Sequence, residues 1–256
     1  MDNRPIGVYD SGFGGLSVWR ELYRALPDES LIYLGDGKNC PYGSLPEERI
    51  REYAEQSVGE LVGRGCKLIV VACNTASAAA IDFLRAKYPK IPFVGIEPAI
   101  KPAAIESKSG TIGVLATEGT FNGRLYNSTK EKFARGVTIL AVVADEFVDL
   151  VEKGILSGGY AEGVVRKKIE PLLAAGCDRI VLGCTHFPHL SPLIAKVIKG
   201  RAEIVEPSQA VAEQTRRILA EHSLSSESLE PHHVFIGSMP DNLLSVPKYA
   251  ISRDQV

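Results

Sequence analysis

The sequence predicts an α/β protein made of two pseudo-symmetric, open and mostly parallel α/β domains that face each other across a cleft. Three observations carry that prediction. Short apolar runs alternate with longer amphipathic stretches along all 256 residues, the pattern of strands separated by helices. The runs are rich in Ile, Val and Leu without polar alternation, as strands covered on both faces are. The chain also repeats itself: residues 65–75 (GCKLIVVACNT) align with 176–186 (GCDRIVLGCTH) at an offset of 111, and Ile6-Gly7-Val8 aligns with Ile112-Gly113-Val114 at an offset of 106. A shared tripeptide arises easily by chance. Gly-Cys at the start of a strand and Cys-polar at its end, both at one offset, point to duplication.

Taken in order, buried-type strands are expected at 6–9, 31–34, 68–72, 93–96, 111–115, 137–142, 179–182 and 204–205. The glycine-rich stretch 12–17 joins the first strand to a helix. A helix is expected at 47–62, where Ile50, Ala54, Val58 and Leu61-Val62 share one face of a 3.6-residue period. Segments 76–87, 160–175 and 208–222 meet the same test. Residues 223–231 read as a polar connector before a last strand at 234–236. The Glu97-Pro98 step, with Lys101-Pro102 after it, closes the first half, and the second runs to about Glu206. The segment beyond Pro207 is compatible with packing on either half. Assigning it to the first gives domains of 1–98 plus 207–256 and 99–206.

Composition narrows the function. The chain is 45% apolar and 23% charged, with 29 basic against 31 acidic residues, a net charge of −2 and a pI near 6.2. A chain of this length buries roughly three quarters of its unfolded surface, so a packed core is expected. Near-neutral charge argues against a protein that binds nucleic acid by neutralising phosphates. No strictly apolar run exceeds six residues, as at 68–73, against the ~20 needed to span a bilayer. The N-terminus leads into a strand-length apolar run without a signal-peptide core. The expectation is a soluble, cytoplasmic protein with no nucleic-acid or membrane partner.

Five cysteines, at 40, 66, 73, 177 and 184, come no closer than seven residues apart. A disulfide framework, a zinc ribbon and a CxxC redox site are all disfavoured. Cys73 follows one apolar strand and precedes Asn74-Thr75-Ala76-Ser77, a good N-cap region. Cys184 follows another and precedes Thr185-His186-Phe187-Pro188. Ligands of open α/β sheets bind at the carboxyl ends of strands, and a thiol beside a helix N-terminus there is activated. A lone cysteine is more often simply buried. Two at equivalent places of two repeats reverse those odds, whereas Cys66 and Cys177, at the amino ends of the same strands, are expected to be structural. Facing halves would put one thiol on each side of the cleft. That is the arrangement of a stereoinversion, in which one group removes a proton and the other delivers one from behind. It needs no metal, nucleotide or Schiff-base lysine.

Asp10 ends the first strand, and reads either as a carboxylate assisting the nearby thiol or binding a substrate ammonium, or as a turn aspartate. His186 could orient Cys184 or bind a substrate carboxylate. The loop Gly12-Phe13-Gly14-Gly15-Leu16-Ser17, with Asp36 ending the next strand, partly matches a dinucleotide fingerprint. Ser17 replaces its third glycine and Asp10 would repel a pyrophosphate. The glycines are expected instead to let backbone N–H groups approach a small carboxylate. Thr117 and Thr120, in the equivalent loop of the second half, read equally as carboxylate-binding hydroxyls and as helix caps.

Taken together, Asp10-Ser11-Gly12-x-Gly14-Gly15-Leu16-Ser17-Val18, Pro41-Tyr42-Gly43, Cys73-Asn74-Thr75-Ala76-Ser77 and Gly183-Cys184-Thr185-His186-Phe187-Pro188 resemble the signature segments of the glutamate racemases, within the wider aspartate/glutamate racemase superfamily. The resemblance runs from the first strand to about Pro207. It implies a homodimeric, cofactor-independent isomerase that supplies D-glutamate for peptidoglycan, and so for cell shape. By the same resemblance Cys73 acts on the D face and Cys184 on the L face, with Asp10, His186 and Glu152 as further catalytic groups. Asp10, Ser11, Tyr42, Gly43, Asn74, Thr75, Thr117, Thr120, Thr185 and His186 then fall at substrate-binding positions. Asp149 stands where that family often has a small residue or proline. With only five residues before the first strand, the chain is expected to lack the N-terminal extension of precursor-controlled forms. The alternatives are a racemase for aspartate or another small acidic amino acid and, from another class, a nucleotide-dependent oxidoreductase or a small-molecule binding protein.

Overall fold

The computed structural model describes residues 1–133, 136–237 and 251–254. The first stretch of chain runs β1 (Ile6–Asp10), α1 (Leu16–Ala25), β2 (Leu31–Gly35), α2 (Glu47–Gly63), β3 (Leu68–Val71), α3 (Asn74–Lys87) and β4 (Phe93–Gly95). It continues with α4 (Ile100–Glu106), β5 (Thr111–Ala116), α5 (Glu118–Asn122), α6 (Arg124–Phe133), β6 (Thr138–Val143), α7 (Asp145–Glu152), α8 (Gly159–Ala174), β7 (Arg179–Leu182) and a 3₁₀ turn at Phe187–Leu190. The last elements are α9 (Ser191–Ile198), β8 (Glu203–Val205), α10 (Ser208–Glu221), β9 (His233–Ile236) and β10 (Ile251–Asp254).

The strands form two parallel sheets, ordered β10-β9-β2-β1-β3-β4 and β6-β5-β7-β8. The four-strand order of the second repeats the run β2-β1-β3-β4 of the first. Register repeats as well: Gly7 of β1 pairs with Ile69 of β3, and Gly113 of β5 with Ile180 of β7. Both glycines make room for the helix above. A Cβ at Gly7 would lie 2.7 Å from Ile69 and 3.1 Å from Leu61 of α2, and one at Gly113 would lie 2.7 Å from Leu172 of α8 and 3.1 Å from Ile180.

The repeat extends to how the helices end. In α2 the Gly65 N–H donates to Val62 and the Cys66 N–H to Leu61; in α8 the Gly176 N–H donates to Leu173 and the Cys177 N–H to Leu172. Gly65 and Gly176 sit at φ 82° and 83°. Each is the left-handed residue of a Schellman cap, and the cysteine after it packs on the helix it closes. Cys66 and Cys177 are buried beside Leu61 and Leu172 in their respective cores, and burial pushes their thiols up to about 12 and about 11. They are packing residues, as their place at the amino ends of strands implies.

Two features differ from the expectation. Residues 137–142 read as a strand covered on both faces, yet β6 is an edge strand, with Val143 41% exposed and Ile139, Leu140 and Val142 only partly buried, Leu140 and Val142 against one core and Ile139 against another. Its Ile/Val/Leu content reflects partial cover on both faces and strand propensity. The helices α4 to α7 and α9 span only five to ten residues, too short for a 3.6-residue period to repeat often. Beyond Pro207, Val211, Ala212 and Leu219 of α10 share a core with Leu16, Trp19 and Leu22 of α1, and β9 pairs with β2.

Candidate active site

The carboxyl ends of the four central strands converge from both sheets: Asp10 at the end of β1, Cys73 after β3, Thr117 after β5 and Cys184 after β7. Cys73 caps α3, its sulfur accepting the Ala76 N–H at 3.4 Å, and it lies 3.3 Å from Ser11 Oγ. Cys184 Sγ lies 3.6 Å from His186 Nδ1. Both thiols are buried, 5% and 7% exposed, so solvent does not compete with these partners.

Asp10 links the halves. It is fully buried, accepts the Gly12 N–H at 2.9 Å, and accepts the Thr185 hydroxyl of the second half at 2.9 Å. Burial holds its carboxyl above the usual carboxylate range, against the pull of His186 and of these donors. Burial also pushes the Cys73 thiol up to about 12, with the Asp10 charge adding to the effect and the Ser11 and Ala76 donors opposing it. Asp10 thus acts on Cys73 through its field, its own oxygens being committed elsewhere.

On the other side, His186 Nε2 lies 2.5 Å from Glu152 Oε1, which also accepts the Phe13 N–H at 3.1 Å. Burial alone would strip the imidazole of its proton. Hydrogen bonds to Cys184, Cys40 and Glu152 outweigh it and hold His186 well above the usual histidine range. Glu152 ends α7, and the Asp149 substitution does not disturb its reach to His186. His189, by contrast, is held down to about 4 by burial and the His186 charge, and its ring faces the Gly14 carbonyl at 3.3 Å.

The glycine loop serves the seam between the halves. A Cβ at Gly14 would lie 2.5 Å from His186 Nδ1 and 2.6 Å from its backbone nitrogen, and one at Gly12 would lie 2.3 Å from Glu152 Oε1. Ser17 donates to the Thr185 carbonyl at 3.1 Å. The carboxylates its N–H groups approach, expected from a ligand, include the protein's own Asp10 and Glu152. The dinucleotide reading has no room here.

Three hydroxyls from both halves form a cluster beside the thiols: Thr75 and Thr117 at 2.9 Å, Thr117 and Thr120 at 3.0 Å, Thr75 and Thr120 at 3.4 Å. Gly43 backs onto Thr117, and its carbonyl accepts the Gly119 N–H at 2.9 Å. Asn74 is 3% exposed, and neither polar atom of its side-chain amide finds a hydrogen-bond partner. A buried amide left so is costly unless a ligand completes it. Tyr42 turns away: its hydroxyl donates to Asp36 at 2.5 Å and accepts from Tyr9 at 2.9 Å. What its segment offers the site is the Gly43 backbone. Cys40, which stands against Gly12, Glu152 and His186, escaped the sequence reading because it has no counterpart in the other repeat.

A groove of about 730 Å³ opens at the seam, lined among others by Gly43, Glu47, Asp82, Gly119 and Arg124. Gly43 and Gly119 form its boundary with the threonine cluster, and the ion pair of Asp82 on α3 with Arg124 on α6 spans it from half to half.

The family model described as Asp/Glu/Hydantoin racemase matches residues 11–215. The chain is 43% identical over 220 residues to a glutamate racemase of Ectopseudomonas mendocina, spanning 86% of this chain and 84% of that one. Its structure is similar to that of a glutamate racemase isoform from Bacillus anthracis, with a TM-score of 0.88, 32% identity, and coverage of 100% of this chain and 98% of that one. It is also similar to a Francisella tularensis glutamate racemase in complex with D-glutamate, with a TM-score of 0.85, 30% identity, and coverage of 100% and 98%.

Proposed function

Since this chain belongs to the Asp/Glu/hydantoin racemase family, and within it to the glutamate racemases, we propose that it interconverts L- and D-glutamate with Cys73 and Cys184 as the two proton-transfer groups. The observation that carries this reading is the pair of buried thiols at equivalent strand ends of two facing repeats, each with its own distinct partner. Cys184 serves the L face and Cys73 the D face. Glutamate lies between them with its carboxylates on the N–H groups and hydroxyls of Ser11, Asn74, Thr75, Thr117, Thr120 and Thr185 and the backbone of Gly43. The unpartnered amide of Asn74 is satisfied by substrate.

An α-proton of an amino acid is weakly acidic, and removing it requires that developing charge on the α-carboxylate be met by fixed donors in a dry site. For L-glutamate, Cys184 takes the proton, His186 being its acid–base partner with Glu152 fixing the ring so that Nδ1 faces sulfur. Cys73, held protonated by burial, delivers its proton to the opposite face. Asp10 and His186 let the two thiols exchange roles between turnovers. That exchange is obligatory: enantiomers have equal free energy, so kcat/KM is the same in both directions.

We divide the chain into domains of 1–98 plus 207–256 and 99–206, a division supported by the two separate sheets, with 238–250 and 255–256 outside the described residues. No helix among the described residues is long and apolar enough to cross a membrane. We place the enzyme in the cytoplasm, as a homodimer feeding D-glutamate to peptidoglycan synthesis. The test of the substrate is to incubate the purified protein, with no added cofactor, with L-glutamate and in parallel L-aspartate, and to separate the products on a chiral column. D-glutamate from the first is expected. D-aspartate alone would reassign the specificity, and no inversion of either by folded protein would overturn the reading.

A further inference from the structure

We propose that Cys40, Glu152 and His186 form a binding site for a thiophilic divalent cation such as Zn²⁺, and that filling it switches off the Cys184 side of the reaction. A sulfur, a carboxylate oxygen and a ring nitrogen from these residues all lie within 4.8 Å of one another. Thiolate, imidazole and carboxylate are the donors that borderline-soft ions such as Zn²⁺ take. The three come from separate parts of the chain: the segment before Pro41, the end of α7 and the turn after β7. The loop around them leaves their atoms room, since a Cβ on Gly12 would lie 2.3 Å from Glu152 Oε1 and 3.1 Å from Cys40 Sγ.

Zn²⁺ binds its ligands at about 2.0–2.3 Å, so the donors must settle at separations between the closest and the widest now present. The 2.5 Å contact of His186 with Glu152 opens as the ion enters, and the wider separations close. The side chains have the freedom for this: Cys40 is half-buried and Glu152 21% exposed, while His186 is 2% exposed. An ion arriving from solvent therefore meets the sulfur and carboxylate first and the imidazole last. Binding exchanges two protons for the metal, that of the Cys40 thiol and the one carried by the His186 nitrogen that ligates, both leaving to solvent, and three protein ligands leave a fourth position for water. The filled site pins His186 and takes Glu152 from it, so the imidazole no longer serves Cys184. Cys40 itself has no step in the racemisation.

The inhibitory half rests on the reading of Cys184, His186 and Glu152 given above; occupancy of the site does not. The full-length protein, freed of metal and kept reduced, is titrated with Co²⁺ alone, and the near-ultraviolet thiolate-to-cobalt absorption is followed. One equivalent is expected to saturate the band in wild type, and Cys40→Ser and Cys40→Ala to lose it. Zn²⁺ is expected to inhibit wild-type racemisation, with recovery on adding chelator. Cys40→Ser is expected to keep racemising and to need at least about 10-fold more Zn²⁺ for the same inhibition. A cobalt band that survives Cys40→Ser but vanishes in Cys73→Ser or Cys184→Ser would overturn the site, as would no band at all. A Cys40-dependent band with undiminished activity in Zn²⁺ would overturn the inhibitory half. A Cys40-dependent band in a protein that inverts no glutamate would leave the metal site standing and remove the racemase reading.

Discussion

At the scale of residues, the two thiols are equivalent by descent and unlike in setting. Cys73 is kept protonated by burial and by the field of the buried Asp10 carboxylate, against the pull of the Ser11 hydroxyl it faces. Cys184 faces an imidazole that a carboxylate holds from behind. A two-sided proton transfer needs one full and one empty position at any moment, and in the function proposed above the two settings are what tell the thiols apart. Cys73→Ser and Cys184→Ser are each expected to cut glutamate racemisation by about 10²–10⁴-fold or more, the usual worth of a positioned acid or base; near-wild-type turnover in either would contradict the assignment. His186 gives a pH prediction. Its proton affinity is raised on folding, so its contribution to stability is complete below the ordinary histidine value of about 6.5 and is lost as pH rises through the higher folded value. The urea midpoint of wild type minus that of His186→Gln should therefore shrink as pH is raised above about 6.5. A difference that grows over that range would mean that His186 is buried neutral.

At the scale of elements, most of the scaffold was legible because duplication makes local signals appear twice. The Gly-Cys pairs before β3 and β7 are the second halves of two Schellman caps, and the Gly7 and Gly113 positions are matching clearances under α2 and α8. Repetition also singled out Cys73 and Cys184. What the sequence left obscure lacks a counterpart or depends on distance through space. Glu152 reaches the site only because α7 ends beside His186, and was placed by resemblance alone. The Tyr42 hydroxyl, expected at a substrate position, is spent on Asp36 and Tyr9. The glycine loop resembled a phosphate cradle because any close approach of backbone demands glycine, whether the visitor is a nucleotide or, as here, the other half of the protein. Two substitutions separate these roles. Gly176→Ala meets nothing within 4 Å but sits at φ 83°, and should cost about 1–2 kcal/mol by denaturant unfolding with kcat unchanged. Gly14→Ala drives a methyl into His186. It should cost about 1–3 kcal/mol as overpacking does and also lower kcat; a Gly14→Ala enzyme with wild-type kcat would show that the seam tolerates displacement.

At the scale of the whole molecule, the two sheets meet across buried polar contacts: Asp10 with Thr185, Ser17 with the Thr185 carbonyl, Phe13 with Glu152, and Thr75 with Thr117. The thiols lie behind that seam, so glutamate can reach them only if the halves part, and the groove at Gly43 and Gly119, spanned by Asp82 and Arg124, is where they would do so. Bound substrate should then slow hydrogen exchange at 43, 75, 117 and 119 relative to the strand cores; unchanged protection there would count against opening at this seam. The most direct test of two-thiol inversion follows the α-proton itself. L-glutamate is given to the enzyme in D₂O, and at low conversion the D product and the remaining L substrate are separated and examined for α-deuterium. Two opposed groups predict deuterium in essentially every D-glutamate molecule while the recovered L-glutamate still carries hydrogen. Deuterium appearing in both enantiomers at equal rates would mean that a single group serves both faces, and would contradict the account.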